Sequence, residues 1–126
     1  SLSKEPTATP RVWRWPATGK VVGRFAEFNK GINISGVRHA PIYATAAGKV
    51  VYCGNGLRAY GNLIIIKHNA IYLSAYANNS RVLVKQGDFV QAGQKIAEMG
   101  AAQDHYLLHF EIRRKGLPVN PLTYLR

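Results

Sequence analysis

Short β-branched and aromatic runs punctuated by glycine are the feature of this chain that most limits how it can fold. From Gly19 onward the runs read GKVVGRF, PIYATAAGKVVYCG, GNLIIIKHN, IYLSAYA, GDFVQAGQKIAEMG and LLHFEIRR. Runs of this length, separated by turn residues about every 8 to 12 positions, are typical of antiparallel β-sandwiches and open barrels. Sustained helical periodicity is absent. The sequence therefore predicts a mostly β fold built from antiparallel sheets.

Two of these runs also predict how their strands are placed. Residues 63–66 are apolar without alternation, as expected for a central strand covered on both faces. Residues 108–113 alternate instead, and in a strand successive side chains point to opposite faces. We expect one face of this strand to belong to the core and the other to line a polar surface. The core set is Leu108, Phe110 and Ile112, and the polar set is His109, Glu111 and Arg113.

A single domain accounts for the length of the chain. Its 126 residues, 47% of them hydrophobic, are enough for one core and too few for two. Residues 1–17 hold three prolines among polar residues and predict an extended lead-in, from which Trp13 and Trp15 can still pack on the domain. Residues 18–126 form the predicted domain. The apolar stretches are far shorter than the roughly 20 residues that cross a bilayer, and residues 1–10 lack signal-peptide features.

Positive charge narrows the choice of partners. Lys and Arg number 17 against 6 acidic residues, a net charge of +11, which attracts anionic partners over long range. The cations are scattered, and no helix-turn-helix, zinc-finger or RNA-recognition pattern accompanies them, so nucleic acid is not predicted as a partner. Cys53 is the single cysteine. It excludes an internal disulfide, and its apolar neighbours predict a buried small side chain.

Five ordered segments carry a resemblance to a known family. They are NKGINIS, TAAGKVVYCGNGLRAYGNLIIIKH, YLSAYANN, VKQGDFVQAGQKIAEMG and LHFEIRRKGLPVNPLTYL. In this order they resemble the LytM-type zinc endopeptidase domain, a family that cuts peptide crosslinks in bacterial cell walls. Within it, the NlpD branch of murein hydrolase activators is the nearest, with the EnvC type related. The resemblance implies an open, barrel-sandwich-like arrangement of antiparallel sheets with a groove.

The zinc-binding positions of that family are largely replaced in this chain. Active members use an H-x-x-x-D block, a later histidine after a Tyr-Ala pair, and an H-x-H block. By motif alignment the corresponding residues here are Asn29, Asn33, Asn78, Leu107 and His109. Only His109 keeps an imidazole, whereas a catalytic zinc needs three protein ligands and a nearby base. We therefore expect a degenerate domain with no metal, no cofactor and no catalytic residue.

Other histidines can replace a lost ligand only if the fold brings them to His109. His105 is the nearest in sequence, but four strand steps would separate the two by about 13 Å. Nitrogens that share a zinc lie only about 3 to 4 Å apart. A bend at Asp104 and His105 remains an alternative. His39 and His68 are interpreted as structural.

The resemblance implies a function for a groove without metal. Inactive members of the NlpD and EnvC types activate cell-wall amidases, so we expect this domain to bind a periplasmic N-acetylmuramoyl-L-alanine amidase during cell division and daughter-cell separation. By motif alignment the partner-binding residues are Lys30, Asn33, Tyr60, Tyr76, His109 and Arg113. Ordinary sheet packing stays open for the two tyrosines, and a solvated charge for Lys30 and Arg113. A charge swap at Arg113 is expected to weaken activation and leave the fold intact.

Other functions and a location complete the expectations. The basic surface also fits a module that binds peptidoglycan without activating an amidase, and a residual zinc endopeptidase stays open. GDFVQAGQKIAEMG resembles a half-motif of biotinyl and lipoyl carrier domains, but a Met-Lys-Met or Asp-Lys-Ala triplet is absent. The resemblance implies the periplasm or envelope of a Gram-negative bacterium. It also implies a longer parent, an outer-membrane lipoprotein with a LysM domain upstream.

Overall fold

Short strands make up most of the computed structural model, which describes residues 8–126. In that range the strands are β1 Val21–Gly23, β2 Ile32–Ser35, β3 Pro41–Tyr43, β4 Gly48–Gly54, β5 Leu63–Lys67, β6 Tyr72–Ala77, β7 Asn79–Val82, β8 Phe89–Val90, β9 Lys95–Met99, β10 Ala101–Ala102, β11 His105–Arg114 and β12 Leu117–Val119. Two 3-10 helices, Arg58–Tyr60 and Pro121–Thr123, accompany them. Neither these nor any other helix of residues 8–126 has the length and apolar character of a membrane span.

The strands form one large and one small sheet. The large sheet has nine strands in the order β1-β2-β11-β6-β5-β4-β8, with β10 and β12 also paired to β11, and the small sheet has the order β3-β9-β7. Every strand pair in the two sheets is antiparallel. The large sheet stays open, with β1 and β8 at its ends. This arrangement confirms the predicted mostly β fold of antiparallel sheets.

The hydrophobic core lies between the two sheets. From the large sheet it takes Ile32, Ile34, Ile64, Ile66, Leu108, Phe110 and Ile112, and from the small sheet Ile42, Ile96, Ala97 and Met99. Because alternate residues of β11 point inward, the predicted core set of this strand is buried, each member at 1% exposure or less. The alternation read from the sequence is therefore confirmed. The opposite face of β11 is left for the polar set.

The central position of β5 is also confirmed, but its second face is only partly covered. β5 lies between β4 and β6, and Ile64 and Ile66 are completely buried. Ile65 points the other way, is half-buried and lines an open cleft. An unbroken apolar run therefore marks a strand with core on one side and a shallow apolar cleft on the other.

Part of the predicted lead-in lies in the core. Trp13 is 4% exposed, and its ring packs edge-on against His68, Tyr72 and Tyr124 at centroid distances of 5.2, 5.2 and 5.3 Å. Its backbone pairs with Leu125 near the other end of the chain. Residues 1–7 lie outside the described residues. The boundary at residue 18 stays a prediction, and the packing of Trp13 joins the stretch before it to the domain.

A chain of buried hydrogen bonds crosses the core beside Trp13. His68 Nδ1 lies 2.7 Å from the carbonyl of Ala47, so this nitrogen donates, and Nε2 accepts from Ser74 Oγ at 2.7 Å. Ser74 in turn accepts from the hydroxyl of Tyr76 at 2.7 Å, and Tyr76 accepts from the N–H of Thr45 at 2.9 Å. Every donor has an acceptor only when His68 is neutral, because an added proton on Nε2 would face the proton of Ser74.

We expect the neutral state of His68 to make stability depend on pH. Burial lowers the pKa of His68 below its usual 6.5, opposed by the bond to Ala47. Below about pH 6.5 the unfolded chain takes up a proton that the folded chain refuses, so the free energy of unfolding falls as pH falls. We expect urea unfolding between about pH 7.5 and 5 to show that the free energy of unfolding falls less steeply for His68→Gln than for the unsubstituted protein. Equal pH dependence in the two proteins would contradict this role.

Candidate functional site

A groove of about 600 Å³ opens on the outer face of β2 and β11. Its walls are the loop before β2, the 3-10 helix Arg58–Tyr60 and the hairpin between β10 and β11. The structure brings most of the predicted site residues together here. Those that line the groove are Asn29, Lys30, Asn33, Tyr60, Asn78, Leu107 and His109. Arg113 and Tyr76 are the two that do not.

Strand register places His109 directly against Asn33. The two residues are opposite one another in the antiparallel pair of β2 and β11, so their side chains share one face of the sheet. His109 Nδ1 lies 2.7 Å from Asn33 Oδ1, and its Nε2 lies 2.7 Å from Glu111 Oε2. Both ring nitrogens of His109 therefore already have an oxygen partner within the protein.

Glu111 is the buried charge at the centre of the site. Only 2% of it is exposed, yet Arg113 donates two hydrogen bonds to its Oε1 at 2.9 and 2.6 Å. Tyr60 donates its hydroxyl to Oε2 at 3.0 Å. Burial by itself would raise the pKa of Glu111, but the hydrogen bonds from His109 and Arg113 and their charges outweigh it and lower the pKa. Burial and the Glu111 carboxylate raise the pKa of Tyr60.

Glu111 was missing from the site residues predicted by motif alignment. The signal was present in the sequence, because Glu111 lies on the same strand face as His109 and Arg113 at two-residue spacing. Strand alternation predicts the shared face but gives no partners. Only the fold brings Tyr60 to this carboxylate, across 51 residues of sequence.

Asn29 is committed to its own loop. Its amide nitrogen donates to the carbonyl of Arg24 at 3.0 Å, and its Oδ1 accepts the N–H of Gly31 at 3.2 Å. The backbones of Ala26 and Asn29 exchange two further hydrogen bonds of 3.0 and 3.2 Å. The side chain at this position thus closes a tight turn on the rim of the groove.

Asn78 and Leu107 complete the groove with a strained backbone and an aliphatic side chain. Asn78 has φ 68°, a left-handed conformation that asparagine adopts more readily than most residues. Its N–H donates to the backbone carbonyl of Tyr60 at 2.9 Å, and its own carbonyl accepts from the N–H of Gly100 at 2.8 Å. The backbone of Asn78 is therefore fixed on both sides. Leu107 is half-buried and offers no donor atom to a ligand.

The residues of the groove do not fit a zinc ion. Within residues 8–126 no three His, Cys, Asp or Glu side chains come together as a metal site. The aligned positions offer amides, an aliphatic side chain and one imidazole, and that imidazole is already bonded at both nitrogens. His105 lines the same groove, but it lies four residues from His109 on the continuous strand β11. Zinc requires three ligands drawn from imidazole, carboxylate or thiolate, which this arrangement does not supply.

Tyr76 does not lie on the groove surface. It is completely buried, its ring packs against Phe110 at 5.3 Å between centroids, and its hydroxyl belongs to the His68 chain. Residue 76 points inward because it lies opposite Phe110 in the pairing of β6 and β11. Sheet packing, the alternative left open by the sequence, describes it, and a direct contact between Tyr76 and a partner is not compatible with this burial.

Arg113 lines a second, apolar cleft beside the groove. The cleft has a volume of about 410 Å³, and Tyr60 and Glu111 border both hollows. Its floor is formed by Leu63, Ile65, Leu73 and Ala75. The site is therefore a continuous surface, polar at His109 and apolar beyond Arg113, with Glu111 and Tyr60 between the two parts.

Comparison with known proteins identifies the family of this chain. The family model for peptidase family M23 matches residues 27–121, which include every aligned metal position. The chain belongs to peptidase family M23. The mapping of the individual positions rests on motif alignment and stays a prediction.

Curated relatives and solved structures agree with the M23 assignment. The chain is 57% identical over 124 residues to the murein hydrolase activator NlpD of Escherichia coli, covering 94% of this chain and 33% of that protein. It is 56% identical over 117 residues to a lipoprotein NlpD/LppB homolog of Pseudomonas aeruginosa, covering 90% of this chain and 39% of that protein. A zinc containing peptidase from Vibrio cholerae matches with a TM-score of 0.81 and 29% identity, over 87% of this chain and 39% of that one.

The coverage figures also show how much of each relative this chain corresponds to. It spans about a third to a half of the length of the curated relatives it matches. The LytM-type resemblance and its NlpD-like branch are confirmed by these matches.

We expect the charge swap at Arg113 to destabilise the domain, contrary to the expectation from sequence that the fold stays intact. Arg113→Glu would place a second carboxylate beside Glu111, and leaving a buried charge unpaired costs about 3 to 5 kcal/mol. Arg114→Glu is the matched control, because this neighbour is exposed and its swap should cost less than about 0.5 kcal/mol. Urea unfolding followed by circular dichroism measures both. Equal stability of the two variants would contradict the role of Arg113 as the partner of Glu111.

Proposed function

We propose that this domain is a non-catalytic M23 domain that binds and activates a periplasmic N-acetylmuramoyl-L-alanine amidase. The observation that carries the proposal is the groove at His109, which keeps the shape of a binding site although its aligned metal positions hold amides and a leucine. A groove of this kind still offers a pocket of about 600 Å³, large enough for side chains of another protein. The amidase, a metalloenzyme in its own right, would perform the cleavage.

The relatives support an activator more than a peptidase. The E. coli relative is named a murein hydrolase activator, and the similarity to it covers nearly all of this chain. Its name concerns the whole protein, of which this chain matches a third, so activity is transferred to this domain as part of the proposal. The side chains of the groove support the same direction, because within residues 8–126 no three His, Cys, Asp or Glu side chains come together as a metal site.

Activation needs only a difference in affinity. An amidase that exchanges between an inhibited and an active conformation is shifted toward the active one by any partner that binds that conformation more tightly. The proposed contact residues are Lys30, Asn33, Tyr60, His109 and Arg113. Lys30 is exposed on the groove wall, whereas Tyr60 and His109 are half-buried and fixed to Glu111. Such pre-ordered side chains lose little entropy on binding.

The envelope is the proposed location. The P. aeruginosa relative is described as a lipoprotein, and a Haemophilus influenzae relative at 52% identity as an outer membrane antigenic lipoprotein. The amidase substrate, peptidoglycan, lies in the same compartment. We therefore place the domain in the periplasm, on a longer parent that is anchored to the outer membrane by lipid.

The proposal predicts that this domain stimulates dye release from labelled peptidoglycan by purified amidases of the N-acetylmuramoyl-L-alanine class and releases no dye alone. Lys30→Glu should raise the concentration needed for half-maximal stimulation by about three- to tenfold, because a rim charge steers association. Lys20→Glu is the matched control, since it makes the same charge change at an exposed lysine outside the groove lining. Absence of stimulation by the unsubstituted domain would refute the proposal.

The same preparation distinguishes the alternative of a wall-binding module. The net charge of +11 favours adhesion to the carboxylates of wall peptides. Pelleting with purified peptidoglycan but no amidase stimulation would support that alternative in place of activation.

Restoring the aligned metal ligands tests the mapping of the site. Asn29→His, Asn33→Asp, Asn78→His and Leu107→His together should yield a protein that retains about one zinc per chain after dialysis, because three or more ligands then face the groove. The unsubstituted protein should retain none. Metal content by mass spectrometry measures both, and stoichiometric zinc in the unsubstituted protein would overturn the assignment of a non-catalytic domain.

A further inference from the structure

Phe28 stands at the mouth of the groove with almost no contact to the rest of the protein. It is 94% exposed, more than any other large apolar residue between residues 8 and 126, and it lines the groove wall. Single exposed apolar residues are common and by themselves indicate nothing. Phe28 differs from such residues because hydrogen bonds hold the backbone turn that carries it.

The turn that carries Phe28 is fixed on both sides. Ala26 and Asn29 exchange two backbone hydrogen bonds, which leaves Glu27 and Phe28 at the tip. The amide of Asn29 then ties the turn to Arg24 and to Gly31. Gly31 itself lies so close to β11 that a Cβ atom there would collide with the carbonyl oxygen of Phe110. An exposed aromatic ring is thus presented by an ordered turn seated against the sheet.

Such a ring is suited to be an anchor. A side chain that projects from a rigid turn loses little conformational entropy when it is bound, so most of its burial energy is available for affinity. Aromatic residues bring a large apolar area and dominate many interfaces when they enter a pocket of the partner. The exposed surface of Phe28 adds nothing to the core of this domain.

The charges around Phe28 indicate the chemistry of the surface it meets. Lys30 and Arg24 are exposed on either side of the turn, and Glu27 is exposed at its tip, so the cations of the turn outnumber its one carboxylate. Among the described residues Lys30 has no ion-pair partner, whereas the Glu111 carboxylate in the groove is neutralised by Arg113. A complementary surface has an apolar pocket with carboxylates at its rim. Peptidoglycan offers carboxylates but no concave apolar pocket for the ring, so the observations favour a protein.

We propose that Phe28 is the hydrophobic anchor through which this groove docks on its partner, entering an apolar pocket while Lys30 pairs with a carboxylate at the pocket's edge. The proposal rests on the proposed function, since the partner in question is the amidase. It also gives a role to Asn29, whose side chain bonds to Arg24 and Gly31. The side chain at this former metal position holds the turn that presents the ring.

Titration of variants into the amidase dye-release assay tests the anchor. Phe28→Ala should raise the concentration for half-maximal stimulation at least about tenfold, with an unchanged melting temperature because the ring is exposed. Phe89→Ala is the matched control, since Phe89 is a 45% exposed phenylalanine on β8 at the far end of the large sheet. Its concentration for half-maximal stimulation should stay within about twofold of that of the unsubstituted domain.

Two further variants separate the ring from the turn. Phe28→Trp should keep most of the stimulation, because tryptophan also places an aromatic ring in the pocket of the partner. Asn29→Ala removes both side-chain bonds of the turn and should weaken stimulation less than Phe28→Ala does, because the ring remains but is no longer held. Equal stimulation by Phe28→Ala and the unsubstituted domain would disprove the anchor and leave the proposed function standing.

The remaining outcomes are also decisive. If the unsubstituted domain does not stimulate the amidase, the proposed function fails and the anchor fails with it. If Phe28→Ala stimulates normally but no longer pellets with purified peptidoglycan, the ring contacts the wall and the protein anchor is disproved.

Discussion

The buried carboxylate of Glu111 is the interaction on which the outer face of this fold depends. A carboxylate that is almost completely out of water is tolerated only when it is paired and hydrogen-bonded, and here Arg113, His109 and Tyr60 all contact it. Each of these three side chains also borders the groove or the cleft beside it. One requirement, compensation of a buried charge, therefore fixes the positions of several groove residues at once.

The amides of the groove have structural roles of their own. Asn29 closes a turn, Asn33 holds one nitrogen of His109, and Asn78 occupies a left-handed backbone position. An amide both donates and accepts, so it can satisfy a loop from two sides. Through these bonds the three asparagines support the loops and the histidine of the groove.

Much of the fold could be predicted, because its signals are local. The alternation of β11 and the central position of β5 followed from side-chain periodicity, and glycine punctuation indicated an antiparallel sheet protein. Packing was harder to predict. Trp13 was assigned to a lead-in that can still pack on the domain, but the sequence did not predict that its ring lies in the core and its backbone pairs with Leu125. Tyr76 was aligned with a partner surface while sheet packing stayed open, and its strand register turns it inward onto Phe110.

The sequence by itself determined the class of fold and the face of β11 that is polar, since each depends on residue type and spacing along one segment. Only the tertiary structure decided which of those residues meet. Tyr60 reaches Glu111, and Asn33 reaches His109, across 51 and 76 residues of chain. Such pairs arise from sheet order and register, which are set by the packing of the whole core and leave no local trace in the sequence.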